Sequence, residues 1–181
     1  MRQTPQPPLG RDRILHLIEK MKSSRIVVVG DVMLDRYLLG DTERLSPEAP
    51  VPVVTVTERR TKLGGAANVA ANVVAIGASC RLVGVVGDDQ DGATLRHEML
   101  AAQIDERGVA PVAGRVTTSK TRVMARGQQV VRIDEEVDAL LAAPDLERLN
   151  SRIEDAVAEA DALLLEDYNK GALAPSSIRT A

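Results

Sequence analysis

The chain has 181 residues and a mass of 19.4 kDa, the size of one ordinary domain. Its net charge is −3, its pI is about 5.5, and Tyr37 and Tyr168 are its only aromatic residues. That excludes a generic nucleic-acid binder, which needs a basic footprint and stacking platforms. Hydrophobic residues make up 44%, which excludes wholesale disorder. The single cysteine, Cys80, excludes an internal disulfide framework and a multi-cysteine zinc site. No apolar run is long enough to cross a membrane, so no membrane contact is expected and the cytoplasm is the default location.

Residues 1–10 are Pro-rich, lack the apolar core of a signal peptide and read as a flexible tail. Ile14, Leu15, Leu17, Ile18 and Met21 recur at helical spacing, which predicts a helix over 11–22. Ile26 to Gly30 is a β-branched run of the kind found in a parallel strand buried on both faces. Leu82 to Gly87 and Ala162 to Leu165 are two more such runs. Cys80 stands just before the second and reads as a small buried hydrophobe rather than a catalytic thiol. Helical patterns lie between the runs, at about 65–76, 92–103 and 145–160. His16 and His97 fall in helical patterns without a partner at ligand spacing, and read as surface residues. Strands alternating with helices predict an α/β fold around a mainly parallel sheet.

Two segments break this rhythm. Val51 to Thr57 is β-rich, and Ser119 to Asp134 reads as two strands around Arg126-Gly127-Gln128-Gln129. Both are more polar than the buried runs. They read as a small antiparallel sheet standing apart, a lid; the alternative is a pair of edge strands of the main sheet.

In an open parallel sheet, ligands bind beyond the carboxyl ends of the strands. Three polar clusters stand at such ends: Gly30 to Arg36, Gly87 to Asp89, and Glu166 to Gly171. Asp88 and Asp89 precede a helix and read as capping residues. Asp35 and Asp167 are the candidates for accepting hydrogen bonds from polyol hydroxyls. Leu63-Gly64-Gly65-Ala66-Ala67-Asn68 opens a helix with small residues, so the backbone is accessible to a ligand. The alternative is a tight strand-to-helix packing joint. The stretch is neither a Walker loop nor G-x-G-x-x-G.

The run Gly64-Gly65-Ala66-Ala67-Asn68-Val69-Ala70, followed by Gly77 and Gly87, resembles the first signature of the ribokinase-like (PfkB) sugar kinases. Gly30 to Tyr37, Ser46 to Val53, Gly127 to Asp134 and Asp167 to Gly171 resemble its heptose 7-phosphate kinase subfamily, often the N-terminal half of a bifunctional kinase/adenylyltransferase. The resemblance runs from about Arg11 to Ala181. It implies a ribokinase-like sheet with helices on both faces, plus a small β-lid at about 36–62 and 115–134 that pairs two subunits. It implies transfer of a phosphoryl group from ATP, with Mg, to the anomeric hydroxyl of D-glycero-β-D-manno-heptose 7-phosphate. The product would serve ADP-heptose and lipopolysaccharide core synthesis.

By position, Asp35 matches the family's sugar-binding aspartate. Gly64 and Gly65 would admit the sugar to the backbone, and Asn68 would bind a hydroxyl. Asp167 and Lys170 fall at the strand end facing the same cleft. Lys170 would pair with a phosphate or stand on the surface at a helix start. Arg122, Arg126 and Arg132 of the lid would meet the 7-phosphate or face solvent. The family's Gly-Ala-Gly-Asp motif, whose Asp is the general base, does not occur here, nor does its Asn-x-x-Glu motif. No catalytic residue and no metal ligand is therefore assigned. The expectation is residues 11–181 as the N-terminal part of a kinase domain, its C-terminal half absent, inactive alone. Another ribokinase-like sugar kinase and a non-catalytic sugar-phosphate-binding remnant are the alternatives.

Overall fold

The computed structural model describes residues 10–181; apart from Gly10, which precedes the first helix, the predicted tail lies outside the described residues. In chain order the elements are α1 (Arg11–Lys22), β1 (Arg25–Gly30), β2 (Val32–Leu45), β3 (Pro52–Gly64) and α2 (Gly65–Ala75). There follow β4 (Ser79–Gly87), α3 (Gln90–Ala101), β5 (Asp105–Val112), β6 (Ser119–Ala125) and β7 (Gln128–Glu135). The last are α4 (Ala143–Val157), β8 (Ala162–Glu166) and α5 (Pro175–Thr180).

The main sheet has the order β5-β4-β1-β8, with every pair parallel. β1 lies inside it because Val27, Val28 and Val29 are all buried. Alternation sends Val28 to one face, where it packs with Leu82 and Val86 of β4, Ala66, Ala67 and Ala70 of α2, and Leu95 and Met99 of α3. Val27 and Val29 point the other way, toward Leu149, Ile153 and Ala156 of α4. Helices thus cover both faces, as expected of an α/β fold.

Two readings need correction here. The run Ala162 to Leu165 pairs in parallel with β1, yet it is the sheet edge, and Leu164 and Leu165 are 38% and 41% exposed. An apolar run reports the capacity for burial, not the presence of a neighbour. β5 escaped the sequence reading altogether. Its polar start, Asp105-Glu106-Arg107, and Pro111 hide a strand of which Gly108, Val109 and Ala110 are buried.

The second sheet has the order β3-β2-β6-β7. It is mixed, not antiparallel as expected, because β6 runs parallel to β2. Both strands leave the main body in the same direction, since β3 carries the chain back and α2, β4, α3 and β5 intervene before β6. The hairpin between β6 and β7 turns on Arg126 and Gly127, at φ 51° and 79°. Positive φ at both central residues matches the right-handed twist of the flanking strands. β2 is the larger omission. Gly30 to Arg36 is not simply a polar cluster beyond a strand end, because Val32 onward is a second strand of 14 residues.

Cys80 is buried, and desolvation, then the charge of Asp105, pushes its thiol up to about 12. It is a packing residue. His16 and His97 are exposed on α1 and α3. Among the described residues, no helix is long and apolar enough to cross a membrane.

Candidate functional site

The site is built where β1 ends. Asp31 follows Gly30 and is buried. Its Oδ2 accepts from the backbone N–H of Tyr168 at 2.8 Å and of Lys170 at 3.0 Å, and its Oδ1 from that of Ala172 at 3.2 Å. One carboxylate thereby fixes the loop after β8. Its backbone oxygen also accepts from the N–H of Ala66 at 2.9 Å, which anchors the first turn of α2. Arg115 ties that loop to the one between β7 and α4. Its guanidinium donates to the backbone oxygens of Val137 and Ala139, both at 3.2 Å, and of Lys170. Burial pulls the Arg115 pKa down and nearby Asp31 raises it, with burial the larger effect.

α2 starts at the Gly64–Gly65 joint. Gly65 has φ +53°, and a Cβ there would strike the Asp31 backbone oxygen and stand 3.0 Å from Met33 Cγ. Glycine is required for conformation and for space. Gly64 lies against Asp35, because a Cβ on it would stand 2.8 Å from Asp35 Oδ2. Asp35 Oδ1 is held by Arg122 of β6. The carboxylate is thus fixed through one oxygen and presents the other at the glycine joint. The hydrogen bond and charge of Asp35 raise the Arg122 pKa.

Of the residues singled out from sequence, Asp35, Gly64 and Gly65 meet at one point. Asn68 is exposed, one turn into α2. Asp167 is exposed, and its Oδ1 accepts from the N–H of Asn169 at 2.8 Å, closing its own turn. Lys170 is ion-paired, with its Nζ 2.8 Å from Glu136 Oε1. Glu136 also holds Lys120 at 3.1 Å, and Lys120 pairs with Asp134 at 3.2 Å. Lys170 and then Lys120 hold Glu136 below the usual carboxylate range, and Glu136 raises the Lys170 pKa in return. This chain of charges ties the loop after β8 to β6, the neighbour of Asp35 on β2. Arg132 pairs with Asp134 at 2.9 Å, and Arg126 is exposed at the hairpin tip.

Asp89 caps α3, as its sequence position suggested. It accepts from the N–H of Gly92 at 2.8 Å, and from the N–H and hydroxyl of Thr117 at 2.8 and 2.7 Å. It therefore also sets the entry to β6. Burial pushes its pKa up, but the bonds from Thr117 and Gly92 and the charge of Arg36 outweigh that, and the net shift is down. Arg36 pairs with Asp91 of α3 and, at 3.4 Å, with Glu135 of β7. Two hollows of about 180 and 130 Å³ lie elsewhere. The larger is wholly apolar, between α1, α2 and β8; the smaller is at the amino ends of β1 and β4.

Sequence reasoning missed Asp31 and Arg115. Asp31 carried only a weak signal, since both it and Asp88 directly follow fully apolar strands, yet Asp31 is buried and Asp88 is exposed. Arg115 carried none, because its partners are backbone oxygens distant in sequence.

A parallel sheet with helices on both faces, a small second sheet and a carboxylate facing a glycine joint together define a ribokinase-like architecture. The ribokinase of Arabidopsis thaliana, solved with ribose and ATP, superposes with a TM-score of 0.52 at 20% identity, over 79% of this chain and 53% of that one. A sugar kinase from Pyrococcus horikoshii, solved with ATP, does so at 0.55 and 22%, over 77% and 42%. The pfkB family carbohydrate kinase pattern matches residues 23–181, and the chain belongs to that family. The protein named Bifunctional protein HldE in Helicobacter pylori (strain P12) is 46% identical over 149 residues, 82% of this chain and 32% of that protein. Its namesake in Geotalea uraniireducens is 42% identical over 167 residues, 92% and 34% respectively. The chain thus spans about a third of the curated relatives it matches.

Proposed function

We propose that this chain is the sugar-binding part of an ATP-dependent kinase acting on D-glycero-β-D-manno-heptose 7-phosphate at its anomeric hydroxyl. Heptose 1,7-bisphosphate, the product, serves ADP-heptose and lipopolysaccharide core synthesis in the cytoplasm. One observation carries the reading: Asp35 is held through Oδ1 by Arg122 and presents Oδ2 at the Gly64–Gly65 joint. A fixed acceptor beside bare backbone suits a polyol, because each hydroxyl left unpaired in a closed cleft costs ~1–3 kcal/mol. Asn68 supplies a second polar group on the same helix turn. Asp167 shapes the loop, and Lys170 lends positive charge once an anion competes with Glu136 for its ammonium. Similarity to the proteins named HldE, with the motifs of the heptose kinase subfamily, supports a heptose over other sugars.

The second sheet serves as the lid, over about 36–62 and 115–134, and as the pairing surface of a homodimer. Val130, Val131 and Ile133 of β7 are 40%, 47% and 50% exposed and suit that contact. ATP brings the phosphoryl group, and Mg offsets its charge. Because the family's Gly-Ala-Gly-Asp motif does not occur in the sequence, the isolated chain is expected to bind sugar phosphate without turning over.

Calorimetric titration with heptose 7-phosphate tests the reading. The wild-type chain shows saturable binding, and Asp35→Ala weakens it about tenfold or more, the loss of a charge-assisted acceptor. Asp35→Asn keeps the shape and sits between. Binding indifferent to both substitutions, or sugar-dependent ATP turnover by the 181 residues, overturns the proposal.

A further inference from the structure

We infer that Arg36 is a positioning residue for Asp35, tying the sheet that carries the carboxylate to the helix layer into which the glycine joint leads. The inference rests on the reading of Asp35 just given. The two halves of the candidate site belong to different parts of the fold. Asp35 and the Arg122 that holds it stand on β2 and β6 of the second sheet. The Gly64–Gly65 joint leads into α2, which packs on the main sheet beside α3, since Ala66, Ala67 and Ala70 share one core with Leu95 and Met99. Arg122 therefore fixes the carboxylate within its own sheet and leaves that sheet free to shift against α2.

Arg36 makes the missing connection. Side chains alternate along a strand, so Arg36 points away from the Asp35 face. There one nitrogen of its guanidinium pairs with Asp91 in the first turn of α3. The other terminal nitrogen donates to Ser119 Oγ of β6 and Glu135 Oε2 of β7, both at 3.4 Å. Ser119 is buried, and its hydroxyl donates to the same Glu135 oxygen at 3.2 Å. One planar fork thus gathers β2, β6 and β7 and joins them to α3. The Arg36 and Asp91 side chains are 29% and 16% exposed, so solvent and salt screen this pair less than a surface one.

A second contact lies alongside. Thr61 of β3 is opposite Arg36, and its hydroxyl donates to Glu98 Oε1 at 3.0 Å. Glu98 follows Asp91 by two turns, on the same face of α3, so that face is turned to the second sheet. Of the two contacts, Arg36 to Asp91 is the one that joins opposite charges, and it starts one residue from Asp35. On the Asp35 face, Lys170 and Lys120 hold Glu136, so the sheet is held from both sides. With that side intact, loss of Arg36 should shift Asp35 by a few tenths of an ångström. A misplacement of about 1 Å can cost about a hundredfold, so the expected loss is about fourfold.

Heptose 7-phosphate titrated calorimetrically into the full chain tests the role. Arg36→Gln should weaken binding about fourfold, and Asp91→Asn, on α3 and outside the sheet, should do the same. Arg36→Lys keeps the charge but not the fork, and should recover about half of the loss. In an Asp35→Ala background neither substitution should weaken binding further, because the group they position is gone; a merely structural role would cost the same in both backgrounds. A second measurement needs no ligand. Spin labels at Gln128→Cys on β7 and His97→Cys on α3, both exposed positions, should report one narrow distance, and adding Arg36→Gln should broaden and shift it. If Arg36→Gln does not fold, Asp91→Asn carries both measurements. An unchanged distance, or an equal loss of affinity with and without Asp35, overturns the positioning role. If Asp35→Ala leaves the affinity of the wild type unchanged, the heptose reading falls by itself, and the distance alone then decides whether Arg36 holds the sheet that carries Asp35.

Discussion

Asp31 is the residue whose removal should tell most about how the site is held. Its carboxylate satisfies three backbone N–H groups in the loop after β8. The N–H of Ala172 is buried, and leaving it unpaired costs ~1–3 kcal/mol. Those of Tyr168 and Lys170 are closer to solvent, so each should contribute about 0.5 kcal/mol. Asp31→Ala should therefore destabilise the chain by about 3 kcal/mol. With a urea slope of about 2 kcal/mol per molar, the midpoint moves down by about 1.5 M. Asp31→Asn retains one acceptor oxygen and turns an amide N–H₂ toward the remaining donors, so it should fall about midway. Urea unfolding followed by circular dichroism gives the midpoints, and limited proteolysis shows whether cleavage concentrates between Tyr168 and Ala172. A midpoint shift below about 0.3 M for Asp31→Ala, with the loop still resistant, would refute the reasoning.

Acid should unfold the chain through its depressed carboxyls. Arg107 first, then Arg81, holds Asp105 well below the usual carboxylate range, and Asp89 is also lowered. A carboxyl whose folded pKa is depressed gives stability that is present above its unfolded value, about 3.9, and is lost as pH falls through the folded value. The melting temperature should hold between about pH 8 and 5 and fall below about pH 4; Asp105→Asn should lower the plateau and flatten the fall. An equally steep acid limb in that variant counts against the assignment. A second expectation concerns β8, an edge strand with Leu164 and Leu165 exposed. Light scattering should show association that rises with concentration and is reduced by Leu165→Lys, because a charge on an edge opposes strand pairing. A wild-type chain that is monodisperse at every concentration argues otherwise.

Much of this architecture is legible in the sequence because burial leaves a local mark. Val27-Val28-Val29 and Leu82 to Val86 announce strands covered on both faces, and the small residues after Gly64 announce a tight helix start. Arg126-Gly127 announces a turn. The failures share one cause. β2 alternates between a body-facing half and a solvent-facing half, so Val32 to Leu45 shows no single period. β5 begins with charges that serve Arg81 and Arg96 from other elements. The roles of Asp31 and Arg115 depend on contacts 22 to 141 residues away. Such partnerships are set by topology, and no window of sequence contains both ends. At the candidate site, Asp35 and the two glycines could be singled out, whereas the pairing of Lys170 with Glu136 could not.

The four strands of the second sheet all meet the body at one end. Met33 is opposite Gly64, Leu34 is beside Ser119, and Ser119 is opposite Glu135. Their other ends, at 46–51 and 126–127, turn with no support from the main sheet. The sheet is thus a cantilever clamped along that row. From Leu34 to Leu45 its arm is about 36 Å, so a tilt of ~6° at the clamp carries the tip about 4 Å. Asp35 stands one residue beyond the clamp, where the same tilt moves it by a fraction of an ångström. Leverage therefore separates two demands: the tip can sweep widely, while Asp35, to which we assign the reading of a sugar, stays almost still.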